Sequence, residues 1–454
     1  MLRSDRGWIC PLEYRYGSLE MKKIFSRENL IEKEVFVEKT LLKTLVEIGF
    51  APRKCLDYID KCFENIKIDE IDDLEKKTGH DTASLAIVIA EKCGDCGKYV
   101  HLGATSNDII DTAWALVLRD ALIVLKNKLK KVIELLIDYS MKYRDVLMIG
   151  RTHGQHALPI TLGFKLANYV YEFTRSYDRI CSMESRVIRG KMSGGVGSMA
   201  GWMGRGLDIE RVFMNEIGLK PHLITTQVSP RDSFAEIIVN LAILASQLDR
   251  FALEIRELSR PEIGEVVVKT SAGSIGSSTM PHKRNPVLAE RICGLARLIR
   301  GFTVPALENI VLMHERDLCN SSVERVMIPH VFLILDQMLE DTLMILRNIE
   351  FNTERMRENI SLTRNIIASE CIMIKLVVKS NIARHVAHRL LSELVDKALS
   401  ENRDFREVVS ESNISELLSQ SDINDCFDYN KYLGNINELI ERAIEYSREI
   451  LKVC

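Results

Sequence analysis

Apolar residues recur along this chain at the spacing of helices. Leu118, Leu122, Leu125, Leu129, Val132 and Leu136 alternate steps of four and three, with Lys126, Lys128, Lys130 and Lys131 on the other faces. One stripe of a long helix is therefore apolar while the rest is wetted. A second stripe runs through Phe234, Ile238, Leu241, Leu244, Leu248 and Phe251 and stops near Ser259-Arg260-Pro261, where proline ends the pattern. Beyond Arg284 the run LAERICGLARLIRGF predicts a third helix. No proline falls between Pro52 and Pro159 or after Pro329, so two long stretches are free of the residue that breaks helical hydrogen bonds. Strand signals are scarce: GEVVVKT is a short β-branched run, and DVLMIGRTH can hold another. The pattern predicts an all-α chain of three helical domains: an N-terminal domain over 1–105, a central long-helix bundle over 106–355 and a C-terminal domain over 356–454. Seams of this length are buried against other helices, within the chain or between subunits. The acidic stretch SQSDINDCFDYN near residue 420 reads as a flexible surface connection.

Charge and composition narrow the function. With 61 Lys+Arg against 64 Asp+Glu, the net charge of −3 offers no global field for nucleic acid or an anionic membrane, so any anionic ligand must be held by a local basic cluster. The N-terminal stretch lacks the apolar core of a signal peptide, and no run approaches a membrane span. A cytoplasmic protein is the expectation. Eleven cysteines run from Cys10 to Cys454, and only Cys93 and Cys96 form a CxxC, without a second pair to complete a zinc site. Free thiols in a reducing compartment are expected, with intracellular disulfides as the alternative.

Polar and glycine-rich stretches interrupt the helices, and these can carry chemistry. In TGHDTASLAIVIAEKC, Asp81 fits a helix N-cap, and His80 reads equally as structural or functional. In VHLGATSNDIIDTAWAL, Thr105, Ser106 and Asn107 either cap the next helix or aim donors at an anion near its start. MIGRTHGQHALPITLG sets Arg151, Thr152, His153 and His156 among glycines; imidazoles on such a turn suit proton transfer better than zinc. GKMSGGVGSMAGW lacks the GK[ST] ending of a phosphate loop and reads as a turn of close backbone approach. In HERDLCNSSVERVMIP, Leu318 stands where HExxH would need a second histidine, while Arg316, Ser321, Ser322 and Arg325 fit either a phosphate site or a salt-bridged helix surface. Finally, SAGSIGSSTMPHKRNP, Ser271 to Pro286, gathers glycines, hydroxyls, Lys283, Arg284 and Asn285, as a lid over an anion would.

The eleven residues Gly276-Ser277-Ser278-Thr279-Met280-Pro281-His282-Lys283-Arg284-Asn285-Pro286 match the GSSxMPxKxNP signature of the fumarase/aspartase superfamily of β-eliminating lyases. TSND and GRTHGQ follow the expected order, and the chain resembles that superfamily from Pro11 into the segment before Val331. Within it the chain is similar to the adenylosuccinate lyase family, on Arg15-Tyr16, the GHD at Gly79 to Asp81, TTQVSPRD around Gln227 and HERDLCNSSVERV. It departs at Asn107, where many relatives carry Thr. The resemblance implies a fumarase/aspartase-like homotetramer around a core of long helices, with active sites shared between subunits and neither cofactor nor metal. It implies elimination of fumarate from adenylosuccinate, and from the succinylated aminoimidazole carboxamide ribotide, in purine nucleotide synthesis. By the same resemblance His153 is the general acid, Ser277 the general base, and His80, Lys283 and Glu290 their partners, with Glu290 orienting His153. Arg15, Tyr16, Arg316, Ser321 and Arg325 are implied to hold the phosphate. Asp81, His101, Thr105, Ser106, Thr152, Gln227, Ser278, Asn285 and Arg291 are implied as further substrate contacts. Argininosuccinate lyase and the carboxymuconate cycloisomerase share the superfamily, but their substrates carry no phosphate, and Arg316 and Arg325 argue against them.

Overall fold

The computed structural model describes residues 9–64, 66–269, 280 and 282–453. Its main elements are helices, as the apolar periodicity predicts. The first stripe lies on the helix Ser106–Lys142, the second on Asp232–Leu258 and the third on Val287–Gly301, and all the leucines and phenylalanines that define the first two are buried. One further long helix, Cys319–Asn348, runs straight through Pro329, which proline punctuation alone would have made a boundary.

By its internal contacts the chain forms two compact units. The first takes Met1–Leu129, Ser176–Leu248 and Ile292–Glu340; the second takes Lys130–Arg175, Asp249–Arg291 and Asp341–Cys454. In the first, the helices Arg27–Glu47, Leu56–Phe63 and Asp81–Lys92 close over a core that includes Leu41, Leu45, Ile59, Leu85, Ile89 and Phe213. Two disulfides, Cys55–Cys96 and Cys62–Cys93, lie inside that core. They overturn the expectation of free thiols: both cysteines of the CxxC are spoken for, by partners 41 and 31 residues away in sequence. The glycine-rich turn after Lys191 is a close-approach turn as expected: Gly197 has φ +86°, and a Cβ there would sit 2.1 Å from the Thr225 carbonyl oxygen.

In the second unit, Leu147–Thr152 and Gln155–Thr161 form an antiparallel hairpin, in register from Leu147 opposite Thr161 to Thr152 opposite Gln155. Val266–Val268 pairs antiparallel with Ile349–Phe351, so both weak strand signals are real. The segment near residue 420, expected to be a flexible connection, is instead the helix Gln420–Cys426. Ser419 caps it through the Asp422 N–H, Ile423 and Cys426 enter the core, and Cys426 is bonded to Cys371. The Lys379 ammonium and the Ser419 hydroxyl hold the Asp422 carboxyl down to about 2. The acidic residues that suggested a loop are therefore a cap and an ion pair.

Candidate active site

The first unit contains a cavity of about 580 Å³ whose lining includes His80, Asp81, Ser106, Gln227, Arg316, Ser321, Ser322 and Arg325. Four separate sequence motifs thus meet at one place, and each is brought there by a local rule of folding. His80 itself, not Asp81, is the N-cap of the helix Asp81–Lys92: its Nδ1 accepts the Ala83 N–H at 3.3 Å. That frees the Asp81 carboxylate, which accepts from the Arg325 guanidinium at 2.5 Å. His80 Nε2 stands 3.4 Å from the Ser106 hydroxyl.

Ser106 opens the helix Ser106–Lys142. Its position is fixed by the buried Asp108 two residues on, which accepts the Thr105 N–H at 2.8 Å, the Ser193 and Gly194 N–H groups, and the Lys191 ammonium at 2.6 Å. The Thr105 backbone is therefore tied down at the start of that helix, and the Ser106 hydroxyl stands at the cavity wall. One turn later, Asp111 accepts from Asn107 and from Arg231, and Arg231 also donates to Glu324 at 3.1 Å. Asp111 and Arg231 thus tie the TSND helix to the helix that carries Arg325, through charges buried together and satisfied by one another.

The remaining wall is the start of the helix Cys319–Asn348. Ser321 and Ser322 occupy its first turn, where backbone N–H groups lack helical acceptors and the helix dipole favours an anion. Arg316 approaches from the preceding loop. Its Nη1 donates to Gln227 Oε1 at 3.1 Å, Gln227 Nε2 donates to the Gly195 carbonyl at 2.9 Å, and the buried Arg316 Nε has no partner within the chain. A guanidinium aimed by an amide, with one donor unspent, beside a helix N-terminus and a second arginine, has the charge and donors that a phosphate calls for. The salt-bridged-surface reading fits only the Arg325–Asp81 pair.

Arg15 and Tyr16 pack together, the guanidinium 5.7 Å from the ring centroid. The residues after them are fastened to the helix Cys319–Asn348: the Gly17 N–H donates to Gln337 at 2.9 Å and the Ser18 N–H to the buried Asp336 at 2.7 Å. His101, in the turn that leads into Ser106, is bound to Glu38.

The second unit holds a different set. Thr152, His153 and Gly154 form the exposed tip of the hairpin, with φ +54° at His153 and +74° at Gly154, the left-handed pair that a two-residue hairpin turn requires. A histidine in this conformation is an uncommon choice, held here by strands paired on both sides. Arg151 is unavailable, since it gives two hydrogen bonds to the buried Glu265; burial, reinforced by the Arg151 charge, depresses the His156 pKa. Lys283 is exposed, and Glu290 is exposed in the first turn of Val287–Gly301, while Arg291 donates to Asp341. No hydrogen bond or ion pair joins His153 to Glu290 among the described residues. Ser277 and Ser278 lie outside the described residues. No group of three His, Cys, Asp or Glu side chains suited to a metal occurs among the described residues, and no helix among them is long and apolar enough to cross a membrane.

Sequence reasoning missed Glu34, Glu38, Asp108, Asp111, Arg231 and Glu324. Glu38 had a signal: it falls three and four residues before Leu41 and Leu42, on the apolar face of its helix, where a carboxylate is out of place without a partner.

Comparison with known proteins agrees with this arrangement. A family described as "Lyase" matches residues 18–301, and one described as "Adenylosuccinate lyase C-terminus" matches residues 365–443. The adenylosuccinate lyase of Pyrococcus horikoshii is 42% identical over 97% of this chain and 98% of its own length; that of Methanothermobacter thermautotrophicus is 41% identical over 98% and 100%. Among solved structures, the 3-carboxy-cis,cis-muconate lactonizing enzyme of Pseudomonas putida superposes with a TM-score of 0.87 at 27% identity, over 97% of this chain and 99% of that one. The fold is thus shared with the muconate lactonizing enzyme, while the family matches and the identity over nearly the full length show that the chain belongs to the adenylosuccinate lyase family of lyases.

Proposed function

We propose that this enzyme eliminates fumarate from adenylosuccinate, leaving AMP, and from the succinylated aminoimidazole carboxamide ribotide, leaving its carboxamide. The observation that carries the substrate is the cavity at the start of the helix Cys319–Asn348, whose lining brings Arg316 and Arg325 together with Ser321 and Ser322. A ribonucleotide phosphate matches it in charge and shape; a substrate without phosphate leaves the Arg316 Nε unpaired at a cost. Arg15, Tyr16 and His101 complete the nucleotide end, and Gln227, which already aims Arg316, contacts the substrate beside it.

The reaction removes a proton from carbon next to a carboxylate and breaks the adjacent C–N bond. Ser277, as its alkoxide, takes that proton and becomes the hydroxyl, and the charge that builds on the carboxylate is met by Lys283 and Asn285. The electron pair forms the carbon–carbon double bond of fumarate as the nitrogen leaves, and His153 gives the nitrogen its proton. An exposed imidazole on a hairpin tip held by paired strands suits that role, because the donor needs a fixed position. Glu290 orients His153, and His80, Asp81, Thr105, Ser106, Thr152, Ser278 and Arg291 contact the substrate. Both fumarate and product nucleotide leave without any redox change, so no cofactor is required.

The cavity residues belong to the first unit, whereas His153, Lys283 and Glu290 belong to the second. We place these sets on different subunits of a cytoplasmic homotetramer, each active site being completed by neighbours, with the three segments 1–105, 106–355 and 356–454 as its domains. Arg325→Ala tests the phosphate assignment: KM for adenylosuccinate should rise about 10- to 100-fold with a smaller change in kcat, as loss of a charged hydrogen bond predicts. An unchanged KM would remove the phosphate site.

A further inference from the structure

Two carboxylates, Glu34 and Glu38, sit one turn apart on the helix Arg27–Glu47, close behind a cavity read as binding an anion. Glu38 is fully buried. Its Oε1 lies 2.5 Å from His101 Nδ1, and its Oε2 makes no hydrogen bond within the chain. His101 is held in the left-handed region, φ +60°, a conformation that costs about 1–3 kcal/mol for a non-glycine residue and persists where surroundings enforce it. The turn it heads is closed by the Ala104 N–H bonding to the His101 carbonyl at 3.2 Å and delivers Ser106 to the cavity wall.

We propose that Glu38 is a positioning residue: it fixes His101 with Nδ1–H toward its own carboxylate, favours the imidazolium, and so presents Nε2–H to the nucleotide phosphate. The geometry requires the tautomer, since a carboxylate can only accept, and a ring whose Nδ1 donates is left with Nε2 as the atom facing outward. The His101 side chain keeps 24% of its surface accessible while Glu38 has none, so the ligand-facing end is His101. Glu38 approaches from one helix; Asp108, from the helix after the turn, adds negative charge and is itself neutralised by Lys191. Burial by itself lowers the His101 pKa, but the Glu38 hydrogen bond and charge, with that of Asp108, outweigh it and hold the pKa above the ordinary imidazole value. A cation is thereby kept ready for a phosphate at pH values where an ordinary histidine has lost its proton.

This inference rests on the reading of His101 as a nucleotide contact, and the two can be separated with AMP as the probe. Titration calorimetry in buffers of different ionisation enthalpy measures both affinity and protons taken up on binding. The parent protein, whose His101 pKa is held above the ordinary imidazole value, should take up fewer protons at about pH 7.5 than Glu38→Gln does, and its affinity should hold to higher pH than that of the variant. Glu38→Gln should take up more protons than the parent as AMP binds, raise KM about tenfold with kcat within about twofold, and recover part of the loss as pH falls; Glu38→Asp should restore it in part. Glu38→Gln with parent-like proton uptake and KM would overturn the role of Glu38. If His101→Asn binds AMP as tightly as the parent, the nucleotide-contact reading fails instead, and this inference with it. Should Glu38→Gln fail to fold, the parent alone remains decisive: an affinity loss, absent in His101→Asn, that begins near pH 6.5 would contradict a His101 held charged.

Discussion

Arg325 shows how tightly single residues are balanced at this site. In the unliganded chain its guanidinium is engaged by Asp81, so a phosphate must share or displace that partner, and the pair is exposed enough to be worth little by itself. Glu34 stands against both. Burial, with Asp81 and Glu38 adding and Arg325 opposing, pushes its carboxyl up to about 8. A carboxyl whose folded pKa exceeds its unfolded value is most compatible with folding while protonated, so stability is lost as pH rises from the unfolded value to about 8, beyond which the loss is complete. Glu34→Gln should therefore flatten the loss of Tm between about pH 4.5 and 8 and leave the variant more stable than the parent at the alkaline end. Parallel Tm curves for the two proteins would show that Glu34 ionises freely. This residue was not legible in the sequence, because ENLIEKEVF reads as an ordinary charged helix and only packing against Asp81 and Arg325 makes its carboxylate unusual.

At the scale of elements, what could be read and what could not divide along the range of the interactions. The long helices were legible because every turn repeats the same apolar stripe; of the hairpin only the first strand and the turn were, since the second strand, Gln155–Thr161, carries no strong β signal. The proposed phosphate-binding residues were legible in part: Arg316, Ser321 and Arg325 share one motif, but the Gly195–Gln227–Arg316 relay joins three distant segments. Disulfide pairing was not legible, since Cys55–Cys96 and Cys62–Cys93 depend on how the helices around residues 56–63 and 81–92 pack. The helix at 420 was misread because Ser419, Asp422 and Asp425 are turn formers by type and cap and ion-pair formers by position. Cross-links closing loops of 31 to 55 residues each restrict the unfolded chain by about 3–4 kcal/mol in the loop-entropy account. Full reduction should thus lower the apparent Tm by about 10 °C or more, measured by calorimetry with and without reductant and with thiols then blocked. An unchanged Tm would mean that the bridges contribute nothing to stability.

The whole molecule has to reconcile one unit that holds the proposed nucleotide-binding groups with another carrying the proposed acid and the residues proposed to meet the developing charge. Under the proposal that sites are shared between subunits, each site takes one set from each of two chains. Mixing His153→Ala with Arg325→Ala protein under conditions of subunit exchange should recover activity, because a mixed tetramer contains some sites with both residues intact. Absence of recovery, with exchange verified by mass spectrometry of differently labelled chains, would place both residues in the same chain's site. The central claim is chemical, however, and the most direct measurement is the absorbance change when purified enzyme meets adenylosuccinate. The account predicts conversion to AMP and fumarate, abolished in Ser277→Ala. A folded enzyme that leaves adenylosuccinate unchanged while turning over a phosphate-free sister substrate would contradict it, and would show that Arg316, Arg325 and the Ser321 helix start hold something other than a nucleotide.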